Sequence, residues 1–240
     1  MGRGTAIVTG GSGGIGRACA RVLCERDYDV VLTARRPGPL EAAAKELGAR
    51  WVAADCADED SFAAVMEAAG EPTLLVHAAG VLEGTFVRGQ DADVFDKVLR
   101  ANLRSTYVVT KAVVPQMRPG ARVIYISSTA GLKGMPGLTA YSASKAGMNA
   151  LAQSLAGEVE RDGIAVHLLV PAPVRTDMID PDQGPTMWLL EPEDVASAVA
   201  WLDSLPPRVV VRELVMRSVA TGPFAPEPVG SHRRRPSPTG

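Results

Sequence analysis

Seven short apolar runs alternate along this chain with longer segments of helical period, and that alternation constrains the fold more than any other feature. The runs span 5–9, 30–34, 50–53, 73–77, 122–127, 165–170 and 209–216, each bounded by turn residues. Helical segments are expected near 14–26, 39–48, 58–69, 91–118, 141–162 and 192–203. Strands that alternate with helices build βαβ units, whose strands lie parallel in a sheet covered on both faces. Several helix starts carry suitable caps: Asp58 or Asp60, Asp91, and Glu191-Pro192-Glu193, where proline fits a first turn. A chain of 240 residues, 46% of them apolar, suffices for one such domain.

The first run passes directly into Thr9-Gly-Gly-Ser-Gly-Gly-Ile-Gly16. Gly10, Gly14 and Gly16, with Ser12, Gly13 and Ile15 completing the turn, suit close approach of a pyrophosphate to the start of the next helix. A glycine-rich turn can also be purely structural, but its place between a strand and an apolar-periodic helix favours a dinucleotide. The second run ends in Ala34-Arg35-Arg36, where a site preferring NAD usually carries an acidic residue for the ribose hydroxyls. Arg35, and next Arg36, are suited to a 2′-phosphate, so NADP(H) is expected in preference to NAD(H). Asp55, followed by Cys56, either caps the adenine amino group or belongs to a turn.

Tyr141 and Lys145 stand four residues apart, on one face of a helix, and Ser128 lies thirteen residues before the tyrosine. A free phenol near pKa 10 is a poor proton donor at neutral pH. A neighbouring ammonium and a cationic nicotinamide would lower it. Tyr141 is therefore the expected general acid or base, and Lys145 also bonds the nicotinamide ribose. Ser128, at the carboxyl edge of the sheet, orients the substrate oxygen. The set points to hydride transfer between a nicotinamide and a carbonyl or secondary alcohol.

The chain resembles the short-chain dehydrogenase/reductase family over roughly residues 5–218. The family pattern TGxxxGxG falls on Thr9–Gly16, YxxxK on Tyr141–Lys145, and its serine on Ser128. The resemblance implies a three-layer, doubly wound α/β Rossmann fold with a seven-stranded parallel sheet. It also implies that Asn102, in Ala-Asn-Leu-Arg, holds a water linking Lys145 to solvent. Ala79 and Gly80 would line the cofactor site, with Pro171, the backbone of Val174 and Thr176 at the carboxamide. Helices near 91–118 and 141–162 would be buried between subunits of a homotetramer or homodimer. The segment 211–217 looks like that of NADP-dependent reductases of small hydroxy acids and keto compounds.

Two positions depart from the pattern. The family's NNAG is His77-Ala-Ala-Gly80 here, and His77 is expected to be a buried, hydrogen-bonded histidine. The family's proline-glycine is Pro171-Ala172, which places an extra methyl beside the expected nicotinamide site. His167 reads as sheet packing, and no metal-ligand spacing exists.

The expected domain spans 1–221, and the family resemblance implies a short substrate lid at 177–190 containing Met178, Met187 and Trp188. A lid this short, with Pro181 and Pro185, fits a small substrate or an acyl chain presented by a carrier. Residues 222–240, with five prolines and Arg233-Arg-Arg235, are expected to be disordered. A net charge of −2 speaks against a general nucleic-acid grip. No apolar run reaches membrane-spanning length, and the start at Thr5 leaves no room for a signal peptide. Cys19, Cys24 and Cys56 form no CxxC pair, which suits a reduced, cytoplasmic setting. The expected function is NADPH-dependent carbonyl reduction. Alternatives are 3-oxoacyl thioester reduction, oxidation of a secondary alcohol or hydroxy acid, and a cofactor-sensing scaffold without turnover.

Overall fold

A computed structural model describes residues 2–178 and 189–219. The lid residues Pro181, Pro185, Met187 and Trp188, and the segment 222–240, lie outside the described residues. Seven strands form one parallel sheet: β1 (Thr5–Thr9), β2 (Asp29–Ala34), β3 (Arg50–Ala53), β4 (Pro72–His77), β5 (Arg122–Ile126), β6 (Ala165–Pro171) and β7 (Glu213–Met216). Their order across the sheet is β3-β2-β1-β4-β5-β6-β7. The helices are α1 (Gly14–Cys24), α2 (Pro37–Leu47), α3 (Glu59–Ala69), α4 (Ala92–Leu99), α5 (Ser105–Val113), α6 (Thr139–Val159) and α7 (Pro192–Ser204).

Strand side chains alternate between two cores. Val8, Leu32, Val76 and Ile124 pack with α1, α2 and α7 on one face. Ile7, Val31, Leu75 and Tyr125 pack with α3, α5 and α6 on the other. The result is the expected three-layer, doubly wound arrangement, because each parallel strand must bury both of its faces. Strand order reverses between β1 and β4, which opens a crevice at the carboxyl ends of the strands.

Local chemistry explains the element ends. Asp58 caps α3, its side chain accepting the Ser61 N–H at 2.7 Å. Glu191 and Asp194 form a reciprocal capping box on α7, with Pro192 in its first turn. α2 starts at Pro37, two residues ahead of expectation, because proline is accommodated at a helix start.

Two elements differ from the sequence expectation. The segment 91–118 is not one regular helix: α4 and α5 are joined by a π-helical turn, Arg100–Arg104, and Val114–Gln116 is 3₁₀. Beside the π turn, Ser105 Oγ and Thr106 Oγ1 donate to the carbonyls of Ala101 and Asn102, both at 2.6 Å. Such back-bonding competes with the regular helical ladder. β7 is also shorter than the run 209–216. The carbonyl of Val211, a potential ladder acceptor, takes its bond from His167 Nδ1 at 2.9 Å. Arg122 donates to His167 Nε2 at 3.2 Å, so both ring nitrogens serve packing, in line with the sequence reading of this residue.

Candidate active site

The site begins at the turn after β1. Gly10 has φ +69°, and a side chain there would meet the Ala78–Ala79 backbone at 2.9 Å. A Cβ on Gly16 would collide with the carbonyl oxygen of Gly10, so only glycine lets α1 start this close to the turn. Gly13 precedes α1 without any side-chain cap, leaving the first amides of the helix open to an anion.

These residues line a cleft of about 1610 Å³ along the carboxyl ends of the strands. Gly10, Ser12, Gly13, Gly14, Ile15 and Gly16 lie along it, as do Arg35, Arg36, Asp55, Cys56, Ala79, Gly80, Tyr141, Lys145 and Thr176. Fifteen residues drawn from distant parts of the sequence therefore share one wall. Pro171 and Val174 do not line it; both are buried, and Thr176 Oγ1 donates to the Val174 carbonyl at 3.4 Å. Ala172 also departs from expectation. Its methyl group is buried in the core with α1 and α7 rather than in the cleft wall. Met178 lines the cleft and remains half exposed.

At the other end of the cleft, α6 presents Tyr141 and Lys145. Gly131 permits this helix to come close: a Cβ there would stand 2.9 Å from the Lys145 carbonyl carbon. Lys145 is buried, and its Nζ donates to the Ile126 carbonyl at 2.9 Å. The ammonium lies 5.8 Å from the centre of the Tyr141 ring. Burial pushes the Lys145 pKa down to about 8. For Tyr141 the expected lowering is not what this geometry produces. Burial raises its pKa, and the hydrogen bond with Ser128 opposes that rise. Among the groups of the chain, the Ser128 hydrogen bond is what offsets burial at the phenol.

Ser128 follows β5 by two residues, and its Oγ accepts the Ala130 N–H at 3.2 Å, which fixes the hydroxyl beside Tyr141. Asn102 sits in the π turn and is fully buried. Its Oδ1 accepts the Val81 N–H at 2.7 Å; its Nδ2 donates to the Val81 carbonyl at 3.0 Å and to Ser144 Oγ at 2.9 Å. Asn102 thus ties the turn to the strand β4 loop and to the residue preceding Lys145. Neither Ser128 nor Asn102 is part of the cleft wall itself.

Sequence reading missed a supporting pair. Ser127 Oγ donates to Asn149 Oδ1 at 2.5 Å, and Asn149 Nδ2 donates to the Gly131 carbonyl at 3.2 Å. Asn149 lies four residues after Lys145 on the same helix face, and that spacing was the available signal. His77, as expected, is a buried packing residue, its Nδ1 2.9 Å from Thr9 Oγ1.

The comparisons with known proteins agree with this geometry. The profile described as short chain dehydrogenase matches residues 4–184. The chain belongs to the short-chain dehydrogenase family. It is an oxidoreductase fold of the nicotinamide-using type, and its uncapped α1 terminus, glycine turn and long cleft fit such a dinucleotide. Among curated members of the family, a 3-oxoacyl-[acyl-carrier-protein] reductase of Rickettsia conorii is 33% identical, covering 83% of this chain and 89% of its own. An acetoacetyl-CoA reductase of Cupriavidus necator is 35% identical, covering 83% of this chain and 90% of its own. A short chain dehydrogenase from Burkholderia cenocepacia, solved in complex with NADP, superposes with a TM-score of 0.81 at 28% identity. That alignment covers 89% of this chain and 96% of the other.

Proposed function

We propose that this short-chain dehydrogenase is an NADPH-preferring carbonyl reductase with Tyr141 as its general acid. The observation that carries the reading is the convergence of Tyr141, Lys145 and the Arg35–Arg36 pair on one cleft with the glycine turn between them. Arg35 and Arg36 are exposed at its rim and make no hydrogen bond or salt bridge among the described residues. They are therefore available to a 2′-phosphate, while no carboxylate stands at Ala34 to prefer a free hydroxyl.

A reduced nicotinamide, when bound, supplies hydride to the substrate carbon. Ser128 holds the substrate oxygen by a hydrogen bond. Tyr141 Oη gives its proton to that oxygen as negative charge develops, and takes it back in the direction of alcohol oxidation. Lys145, held against the Ile126 carbonyl, lies close enough to the phenol to favour its anionic form after proton loss. Asn102 keeps Lys145 in place through Ser144 and supports the route by which the phenol is reprotonated.

Within this reading, the curated relatives favour a 3-oxoacyl thioester as the substrate, presented on an acyl carrier or on coenzyme A. An assembly of two or four copies accords with the exposed apolar side chains of Phe86, Val87 and Tyr107 beside α4 and α5. The three cysteines are free thiols, in keeping with a reducing, cytoplasmic setting. Among the described residues no helix is long and apolar enough to cross a membrane.

The test is NADPH consumption across small ketones, keto acids, quinones and 3-oxoacyl thioesters, repeated with Tyr141→Phe. Turnover in the wild type that disappears in the variant, with NADPH binding retained, is the expected result. An active Tyr141→Phe overturns the assignment of the acid. Binding of NADPH without turnover on any substrate supports the cofactor-sensing scaffold instead.

A further inference from the structure

Arg100 and Arg104 stand one helical turn apart in the π turn, and both reach across to the loop after β3. Arg100 Nη1 donates to Asp55 Oδ2 at 2.7 Å, and Arg104 Nε donates to the Ala57 carbonyl at 3.0 Å. The other carboxylate oxygen of Asp55 accepts the Ala57 N–H at 3.0 Å. Each oxygen is therefore anchored once, which fixes the plane of the carboxylate and leaves each oxygen free to accept again. Burial works to raise the Asp55 pKa, but the Ala57 N–H, Arg100 and Arg35 outweigh it and hold the group below the usual carboxylate value.

Asp55 and Arg100 both line the cleft at its Arg35 end, away from Tyr141. An ionised carboxylate has acceptor sites alone, so a fixed Asp55 can take only a donor. Adenine offers an amino group at C6; a 6-oxo purine offers an oxygen at the same place, which the carboxylate repels. We propose that Arg100 is a specificity-determining positioning residue for the base of the cofactor: it fixes Asp55 as the acceptor for a 6-amino purine and against a 6-oxo purine. This rests on the reading of the cleft as a dinucleotide site with its adenosine end at Arg35. Without Arg100, Asp55 keeps one anchor and can turn toward Arg35, whose charge already acts on it. The acceptor would then no longer face the base.

Arg100 is half exposed, so its replacement does not open the core. The experiment is calorimetric binding of NADP+ and of its hypoxanthine counterpart to the full chain, its Arg100→Met variant and its Arg100→Lys variant. The wild type is expected to bind the adenine form about tenfold or more tighter, the value of one hydrogen bond to a charged acceptor. In Arg100→Met that ratio should fall to about threefold or less through weaker binding of the adenine form, and Arg100→Lys should keep part of the preference. A merely structural loss would weaken both ligands together and leave the ratio intact. An unchanged ratio in Arg100→Met, with melting temperature preserved, overturns the proposal. Equal affinity of the wild type for both ligands overturns it as well, while leaving the dinucleotide reading standing. A wild type that binds neither NADP+ nor NAD+ overturns that reading and the proposal with it.

Discussion

His77 occupies a position where the family pattern has asparagine, and it should make this protein sensitive to acid. The ring is fully buried beside β5, edge-on to Tyr125 with ring centres 6.2 Å apart. Thr9 Oγ1 already accepts the Ala79 N–H at 3.1 Å, and a neutral ring completes the pair by accepting the threonine hydrogen at Nδ1. Burial, and then the charge of Lys145, push the His77 pKa from 6.5 down to about 3. Above pH 6.5 the ring is neutral in both the folded and the unfolded chain, so its contribution is constant. Between 6.5 and about 3 the unfolded chain binds a proton that the folded chain refuses, so stability falls as the pH falls. At about 1.4 kcal/mol per pH unit the full loss comes to about 5 kcal/mol. That is comparable with the whole stability of a modest domain, about 5–15 kcal/mol. The perturbation is His77→Asn, which carries no titrating group. Urea unfolding, followed by intrinsic tryptophan fluorescence at fixed protein concentration, would be repeated in steps from about pH 7.5 to about pH 4.5. The variant starts from a different stability at neutral pH, because a packed ring has been lost, so the slopes are what matter. The acid limb of the variant should be shallower by about 1.4 kcal/mol per pH unit. Two parallel limbs would refute the reasoning, since another group would then be carrying the proton uptake.

Two further substitutions probe the cleft. Arg35→Ala should weaken NADPH binding by about 1–3 kcal/mol, the value of a lost charge-assisted hydrogen bond, and leave NADH nearly unchanged. Fluorescence titration measures both, and equal weakening would remove Arg35 from the 2′-phosphate site. Gly16→Ala places a methyl group against the Gly10 carbonyl and should lower stability by about 1–3 kcal/mol, read as a drop in melting temperature. An unchanged melting temperature would mean that the turn can move aside freely.

The parts of the molecule governed by local pattern were legible in the chain. Short apolar runs bounded by turn residues, alternating with helical segments, place six of the seven strands within a residue or two of their positions. The glycine turn announces itself through Gly10 and Gly16, because no other residue fits where they stand. The spacing of Tyr141 and Lys145 on one helix face needs only the geometry of the helix. The break in the segment 91–118 was not legible, since the hydroxyls of Ser105 and Thr106 look like ordinary helix surface until they turn back on the carbonyls behind them. The short β7 was missed for a related reason: His167, on the neighbouring strand β6 and far away in sequence, takes the Val211 carbonyl.

Sequence by itself determined the layer architecture and the place of the glycine turn, because the periods of strand and helix and the spacing of Gly10 and Gly16 are local patterns. The direction of the Tyr141 shift belonged to the tertiary structure, since burial is a property of the packed molecule and outweighs the effect expected from a lysine four residues away. So did the fate of the Ala172 methyl, which packs into the core just past the end of β6, and the bond between Arg100 and Asp55, residues that share no local element. Energies of burial and of long-range pairing depend on which surfaces meet, and only the closed sheet with its two helical layers decides that.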